Sequence, residues 1–341
     1  MKIAAYTSGK VVPSARFRIR QLIPYLAKYD FQITEYAARP SIYPPDRNSL
    51  FRLFWFFNLL LARFVHLING RFSDVIIFQK ELISSFLTFE VFFKRKSIFD
   101  VDDAIWLKKY SWPIKKIARN CRAVVVGNEF LKNYFSSLNK NIYVIPTAID
   151  SEKYIPSVEK KNILSFTVGW IGTSGGFKFF TEDIQIILNQ FFLENPSCRL
   201  KIVGDKIPNF KFIDSNFIDF VLWNEDNELC QIQSFDIGIM PLDNSEWSLG
   251  KCSYKMLLYM SCAIPVVVTN IGMNSEILSS NETCGFGVNI EEPANWKVYL
   301  DELYRNKQLR LEFGKNGRKI VERKYSLEII SKEWVRVLNS L

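Results

Sequence analysis

The chain has 341 residues, 48% of them hydrophobic and 23% charged. That is about two domains' length with apolar content for two cores, which excludes a disordered chain, a collagen-like repeat and a disulfide-stapled miniprotein. Six cysteines without a Cys-x-x-Cys pair, beside the single histidine His66, speak for a cytosolic chain with reduced thiols and no structural metal. The formal charge of +9 is uneven: residues 1–150 carry 23 Lys and Arg against 11 Asp and Glu, and residues 151–341 carry 21 against 24. The first half therefore faces something anionic, and nucleic acid and an acidic membrane surface both fit.

Residues 1–8 are too short in their apolar part for a signal peptide. Short β-branched or apolar runs then alternate with amphipathic stretches, the pattern of α/β units with parallel sheets. Strands are expected at 2–7, 32–36, 75–78, 97–100, 124–127 and 143–145. The pattern restarts with strands at 166–170, 199–203, 217–220, 237–240, 265–268 and 287–288. Helices are expected at 14–28, 128–136, 180–194, 253–261, 296–306 and 326–341. Two such layers, joined near residues 150–162, imply two lobes, 1–155 and 156–325, across a cleft, with 326–341 a final helix packing back toward the first. Open parallel sheets bind ligands at the carboxyl ends of their strands, which is where one shared site is expected.

Residues 50–69, from Leu50 to Asn69, are strongly apolar, but Arg52 and Arg63 leave only ten residues between charges. A spanning helix needs about 20 apolar residues, so this segment is not expected to span. On a helical wheel Arg52, Asn58, Arg63, His66 and Asn69 share one sector, opposite Leu53, Phe54, Phe57, Leu60, Leu61, Phe64 and Ile68. Either the helix is buried against the first sheet, or it lies in a lipid interface with its apolar face down and its arginines near the head groups.

Four groups of residues suit chemistry. Gly172, Thr173 and the small residues after them follow an apolar strand and lead into an expected helix with Lys178 just inside it, an arrangement suited to an anion. The same residues also read as an ordinary turn. Lys251 and Lys255 are four residues apart at the expected opening of the 253–261 helix, where a shared face suits a diphosphate or a solvated pair. Asp102 and Asp103 follow the 97–100 strand and fit either a carboxylate orienting or deprotonating a hydroxyl, or a turn cap. Arg16 and Arg18 follow the first strand and its loop, placed to meet a phosphate or simply solvent.

At this point the chain resembles a known family. The blocks at 99–106 (FDVDDAIW), 126–131 (VGNEFL), 145–150 (IPTAID), 169–172 (GWIG) and 250–272 (GKCSYKMLLYMSCAIPVVVTNIG) stand in the order of the family-4 retaining glycosyltransferases with the GT-B fold. The resemblance runs over nearly the whole chain and is weakest at 31–72. It implies an acceptor-binding first lobe and a second lobe holding a nucleotide-diphosphate sugar donor, with basic side chains and helix dipoles in place of a metal and no cofactor. Lys178 matches the family's lysine after the first strand of the donor lobe, and Thr173 stands where an arginine is usual. A Glu-x7-Glu pair that holds the ribose in the family falls on Gly250 and Leu258, with Glu246 and Glu276 as nearby carboxylates to substitute. Trp223 is a candidate for lining the base pocket or for the core. The family's acceptor-lobe histidine has no counterpart, since His66 lies in the apolar helix.

The leading expectation is an enzyme that moves a hexose or deoxyhexose from a nucleotide sugar to a glycan, on a lipid carrier, in bacterial-type polysaccharide, O-antigen or lipopolysaccharide synthesis. It would be cytoplasmic and peripheral at the inner face of the cell membrane, docked through residues 50–69. The alternative is a non-catalytic binder of nucleotide or glycan, or a scaffold, for which Thr173 and Leu258 speak. Nucleic acid is the weaker partner class, because the basic residues are dispersed and no recognised module is present.

Overall fold

A computed structural model describes residues 1–46, 48–93, 96–107, 110–157 and 166–341. The link expected near residues 150–162 lies partly outside them. The chain divides into two compact units. The first comprises Met1–Ala148, Gly250–Cys252 and Leu327–Leu341; the second comprises Ile149–Leu249 and Ser253–Ser326.

In the first unit the elements run β1 (Lys2–Thr7), α1 (Pro13–Arg18), α2 (Ile23–Ala27), β2 (Gln32–Ala37), α3 (Ser49–Gly70), β3 (Val75–Gln79) and β4 (Ser97–Val101). They continue with α4 (Ser111–Asn120), β5 (Ala123–Val126), α5 (Glu129–Phe135) and β6 (Ile142–Val144). The strands form a six-stranded parallel sheet in the order β2-β1-β3-β4-β5-β6. Every position of β3, β4 and β5 is buried, as a parallel sheet covered on both faces requires. The strand order reverses between β1 and β3, so the crevice of this sheet lies at their carboxyl ends.

The single helix expected over 14–28 is broken into α1, a 3₁₀ turn at Arg20–Leu22 and α2. Ile19 leaves the helical region (φ −124°, ψ −62°), and Pro24 cannot donate a backbone hydrogen bond or pack against the carbonyl four residues back.

The second unit runs β7 (Phe166–Gly172), α6 (Glu182–Glu194), β8 (Cys198–Gly204), β9 (Ile218–Leu222), α7 (Glu228–Gln233) and β10 (Ile237–Met240). Then follow α8 (Glu246–Leu249), α9 (Tyr254–Ser261), β11 (Val266–Thr269), α10 (Gly272–Leu278), β12 (Gly285–Val288), α11 (Asn295–Arg305) and α12 (Lys307–Ile320). Its sheet is again six-stranded and parallel, in the order β12-β11-β10-β7-β8-β9, so the reversal falls between β7 and β10. Trp170, Leu188, Phe191, Leu200, Ile202, Trp296 and Leu300 fill its core. The helix expected after the glycines at 172–176 is only a 3₁₀ turn, Ser174–Phe179. The α-helix starts later, at Glu182, where the Thr181 hydroxyl caps the Ile184 N–H.

The last helix, α13 (Leu327–Asn339), belongs to the first unit. Its Leu327, Ile330, Trp334, Val337 and Leu338 recur at helical spacing and pack with Ile3, Ala5, Ile98 and Val125 of the sheet. Trp334 is 1% exposed. Trp334→Ala should therefore lower stability by about 3–5 kcal/mol, the range for deleting a buried aromatic. Urea unfolding measures it, and a loss under about 1 kcal/mol would mean that α13 is not part of that core.

α3 is attached differently from either expectation. Its buried residues are Trp55, Leu59, Arg63, Leu67 and Gly70, a narrow seam at helical spacing. Arg63 is 1% exposed and donates to the carbonyls of Leu82 (3.1 Å), Tyr36 (2.9 Å) and Thr7 (2.7 Å). Gly70 lets the helix end close on Tyr6, whose hydroxyl a Cβ there would overlap and which donates to the His66 carbonyl. The apolar face points outward: Leu53, Phe54, Phe57, Leu61, Phe64 and Ile68 are all exposed. Arg63 is thus an inward clamp and not a head-group contact, and the helix is not buried against the sheet by its apolar side. Carbonyl pairing also removes Arg63 as a solvated interruption, and the 22-residue helix is long and apolar enough to cross a membrane by length and composition.

Candidate functional site

Each unit gathers its chemistry where its strand order reverses. In the first unit, Ser8 follows β1 and Lys80 follows β3, with Asp102 and Asp103 just beyond β4. The Ser8 hydroxyl donates to Gln79 Oε1 at 2.6 Å, which fixes the amide while its Nε2, fully buried, has no partner among the described residues.

Lys80 is 4% exposed and has a positive φ of 64°. Its ammonium lies 2.9 Å from Asp102 Oδ1 and 3.1 Å from Asp103 Oδ2. Burial opposes that charge, but the two carboxylates outweigh it and hold the Lys80 pKa well above the usual lysine value. Lys251 adds a second ammonium 3.3 Å from Asp103 Oδ1, and the Cys252 thiol donates to the Asp102 carbonyl at 3.0 Å. Burial alone would raise Asp103, yet Lys80 and Lys251 pull it below the ordinary carboxylate range. Asp103 is therefore a fixed anion that accepts hydrogen bonds, and a weak base.

Sequence reasoning did not single out Lys80. The signal was there: it stands at a strand's carboxyl end, as Asp102 does.

Two expectations need correction here. Arg18 is 1% exposed, its Nε 3.2 Å from Asp100 and its Nη1 2.6 Å from the Ile145 carbonyl, so it is a core ion pair and makes no acceptor contact. Burial works against its charge, and Asp100 overrides that. Arg16 is partly exposed, with its guanidinium 5.2 Å from the Phe17 ring centre. The pairing of Lys251 with Lys255 on one helix face also fails. α9 opens only at Tyr254, after Ser253 in a left-handed conformation (φ 49°), and Lys251 belongs to the first unit.

In the second unit, Gly172 ends β7 and exposed Thr173 follows it. A Cβ on Gly172 would lie 2.5 Å from Lys255 Cε, so the glycine makes room for that lysine. The Lys255 ammonium sits 5.3 Å from the ring centre of the buried Trp170. The Ser174 hydroxyl donates to Asp205 at 3.0 Å, tying the turn after β7 to the turn after β8. Beyond β10, Asp243 accepts from the Ser245 and Ser248 hydroxyls. Although burial opposes its charge, these bonds and then the Lys178 ammonium hold its pKa down.

Lys178 is exposed, in the 3₁₀ turn and not in an α-helix. Glu246 is exposed at the start of α8, and Glu276 is exposed on α10. Leu258 is 2% exposed, a core residue of α9. Trp223, 40% exposed after the edge strand β9, donates its indole N–H to Glu228 at 3.1 Å. Glu228 also accepts from Tyr154 at 2.6 Å.

Known proteins share the fold of these two units. Residues 164–306, most of the second unit, match the family model described as glycosyl transferases group 1. No curated protein sequence matches the chain. Among solved structures it is similar to Anabaena HepE in complex with UDP-glucose (14% identity, all of both chains, TM-score 0.72). It is also similar to sucrose-phosphate synthase from Thermosynechococcus elongatus (13% identity, 100% of this chain and 98% of that one, TM-score 0.70). A glycosyltransferase from Rickettsia africae is a third such structure (13% identity, 99% of this chain and 98% of that one, TM-score 0.66). The fold is α/β and GT-B, with two Rossmann-like parallel-sheet units, and most of the second matches the group 1 glycosyl transferase model.

The Lys80 cluster yields a pH-dependent test. Among the described residues Lys80→Met leaves Asp103 with Lys251 and Asp102 with no ion-pair partner, and it should cost roughly 3–5 kcal/mol at neutral pH. In the native protein Asp103's depressed pKa contributes stability above the unfolded value of about 3.9, lost as pH falls through the folded value. In the variant burial dominates and the Asp103 pKa rises, so its deficit should shrink as pH drops from about 7 toward 4. Urea unfolding across that range measures it, and a pH-independent deficit would show that lost packing dominates.

Proposed function

We propose that the protein is a glycosyltransferase that moves a sugar from a nucleoside diphosphate donor to a hydroxyl of a lipid-linked glycan. The observation that carries the reading is Lys255, held over Trp170 at the end of β7 in the room that Gly172 leaves for its side chain. A lysine there, with Lys178 on the turn that follows, suits a diphosphate leaving group. The fit of residues 164–306 to the group 1 family and the UDP-glucose in the HepE structure support that donor class.

In this reading the first unit supplies the acceptor side. Asp103, kept ionised by Lys80 and Lys251, accepts a hydrogen bond from the incoming hydroxyl and orients it. Its low basicity leaves proton removal to the departing diphosphate, as in retaining transfer without a protein nucleophile. Such transfer depends mainly on positioning and on charge stabilisation of the leaving group. No metal enters the scheme. The pathway would be a bacterial-type polysaccharide, O-antigen or lipopolysaccharide assembly at the cytoplasmic face of the membrane.

The outward apolar face of α3, on a unit whose residues 1–150 carry the basic excess, supports docking on an anionic bilayer. Phe57→Glu with Leu61→Glu changes two residues that are 58% and 64% exposed, so the fold should survive. The variant should move from the membrane to the soluble fraction, and recovery of the native protein as soluble would sink the docking.

Lys255→Ala should lower affinity for UDP-, GDP- or dTDP-sugars at least about tenfold, the worth of one charge-assisted contact. Thermal stabilisation by each nucleotide sugar reports this, and an unchanged shift would refute Lys255 as a donor contact. Stabilisation without turnover of any donor would favour a non-catalytic binder, the reading that Thr173 and Leu258 leave open.

A further inference from the structure

The first unit holds a cavity of about 380 Å³ at the carboxyl ends of β1 and β2, beside the flank of α3. It is lined by Lys10, Arg20, Glu35, Tyr36, Arg39 and His66. Its charges do not balance. Glu35 is already committed, both its oxygens bound at 2.8 Å by the Arg20 fork and one also by the Thr7 hydroxyl at 2.6 Å. Lys10 and Arg39 have no acidic partner among the described residues. His66 also lines the cavity, and its buried Nδ1 has no hydrogen-bond partner among the described residues. Burial, then Arg63 and Arg39, pushes the His66 pKa down, which disfavours a further positive charge on the ring.

Two uncompensated cations around a concave space suit a multivalent oxyanion better than a neutral sugar ring. The wall carrying His66 is α3, and a helix with its side chains is about 10–12 Å across. An anion in the cavity therefore lies within roughly one helix width of the exposed face at Phe64 and Ile68, each two residues from His66. A ligand that joins a phosphate to a long apolar chain satisfies both surfaces at once. We propose that this cavity binds the phosphate or diphosphate group of a lipid, with the lipid's chains against the outer face of α3. The assignment rests on the membrane docking proposed above and adds a specific contact to it. Two sources share the chemistry: an anionic phospholipid head group of the bilayer, or the diphosphate of the lipid-linked acceptor.

The test uses the full chain and the double variant Lys10→Gln/Arg39→Gln. The control is Arg122→Gln/Lys140→Gln, which removes the same charge at the opposite edge of that sheet. Each is sedimented with vesicles of zwitterionic phosphatidylcholine alone, with added phosphatidylglycerol, or with polyprenyl diphosphate at matched surface charge. The cavity variant should bind phosphatidylcholine like the native chain and lose roughly thirtyfold of the gain from anionic lipid, the worth of two basic residues at a surface. The control should keep most of that gain. Loss confined to polyprenyl diphosphate assigns the cavity to the lipid-linked acceptor, and equal loss with phosphatidylglycerol assigns it to bilayer head groups. An equal loss in control and cavity variants, or none in either, overturns the site by leaving only diffuse surface charge.

Stabilisation by inorganic pyrophosphate in solution separates the two readings. If the native chain ignores every vesicle, the docking fails, while pyrophosphate stabilisation lost in Lys10→Gln/Arg39→Gln still supports the cavity. Absence of that stabilisation in the native chain as well would end both.

Discussion

Taking cations out of water without leaving them unpaired is the constraint from which the first unit's arrangement follows. Arg18, Arg63 and Lys80 are each 4% exposed or less. An unpaired charge at such depth costs several kcal/mol, so every one is met, and the way it is met decides something. Arg18 takes Asp100 and the Ile145 carbonyl, which joins the broken helix after β1 to β4 and the end of β6. Lys80 takes Asp102 and Asp103 and so fixes two carboxylates in the crevice of the sheet. Arg63 takes three backbone carbonyls and thereby sets the rotation of α3 about its own axis.

That rotation has the largest consequence. A 22-residue helix with a wide apolar sector would normally turn that sector to the core. Arg63 is in the polar sector, and once it is committed inward the phenylalanines and leucines opposite have nowhere to go but out. The seam is narrow because Gly70 brings the end of the helix close to Tyr6 and Leu59 fills the space farther along. An apolar patch of this extent on a basic unit is a feature of surfaces that meet a partner, and in the proposed lipid contact the basic cavity beside α3 is the polar anchor. The second unit works with smaller means: a glycine at the end of β7, an indole beneath and a lysine laid across it.

Much of the fold was legible in the amino-acid order. The strands of both sheets were readable because a parallel sheet covered on both faces demands short continuous apolar runs, and each of these runs is bounded by polar or turn residues. The restart near residue 166 announced a second sheet, and the apolar spacing of 326–341 announced a helix with one buried face. Helix interiors were less secure. Pro24 was visible in the expected 14–28 helix, but the departure of Ile19 from helical geometry was not, and Ser253 gave no sign of its left-handed backbone. That one residue separated Lys251 from the helix on which spacing had placed it.

Sequence by itself determined which residues sit at the carboxyl ends of strands, because that follows from local pattern. Asp102, Asp103, Gly172 and Thr173 were found in this way, and Lys80 was there to be found. Which of them pair, and which face of α3 meets the sheet, only the tertiary structure decided. Those outcomes depend on groups distant along the chain: the carbonyls of Thr7, Tyr36 and Leu82 that meet Arg63, and the Lys80 and Lys251 ammoniums that share Asp103. Hydrophobic periodicity records how much of a segment will be buried, whereas the choice between two buried faces belongs to whichever charge finds a partner.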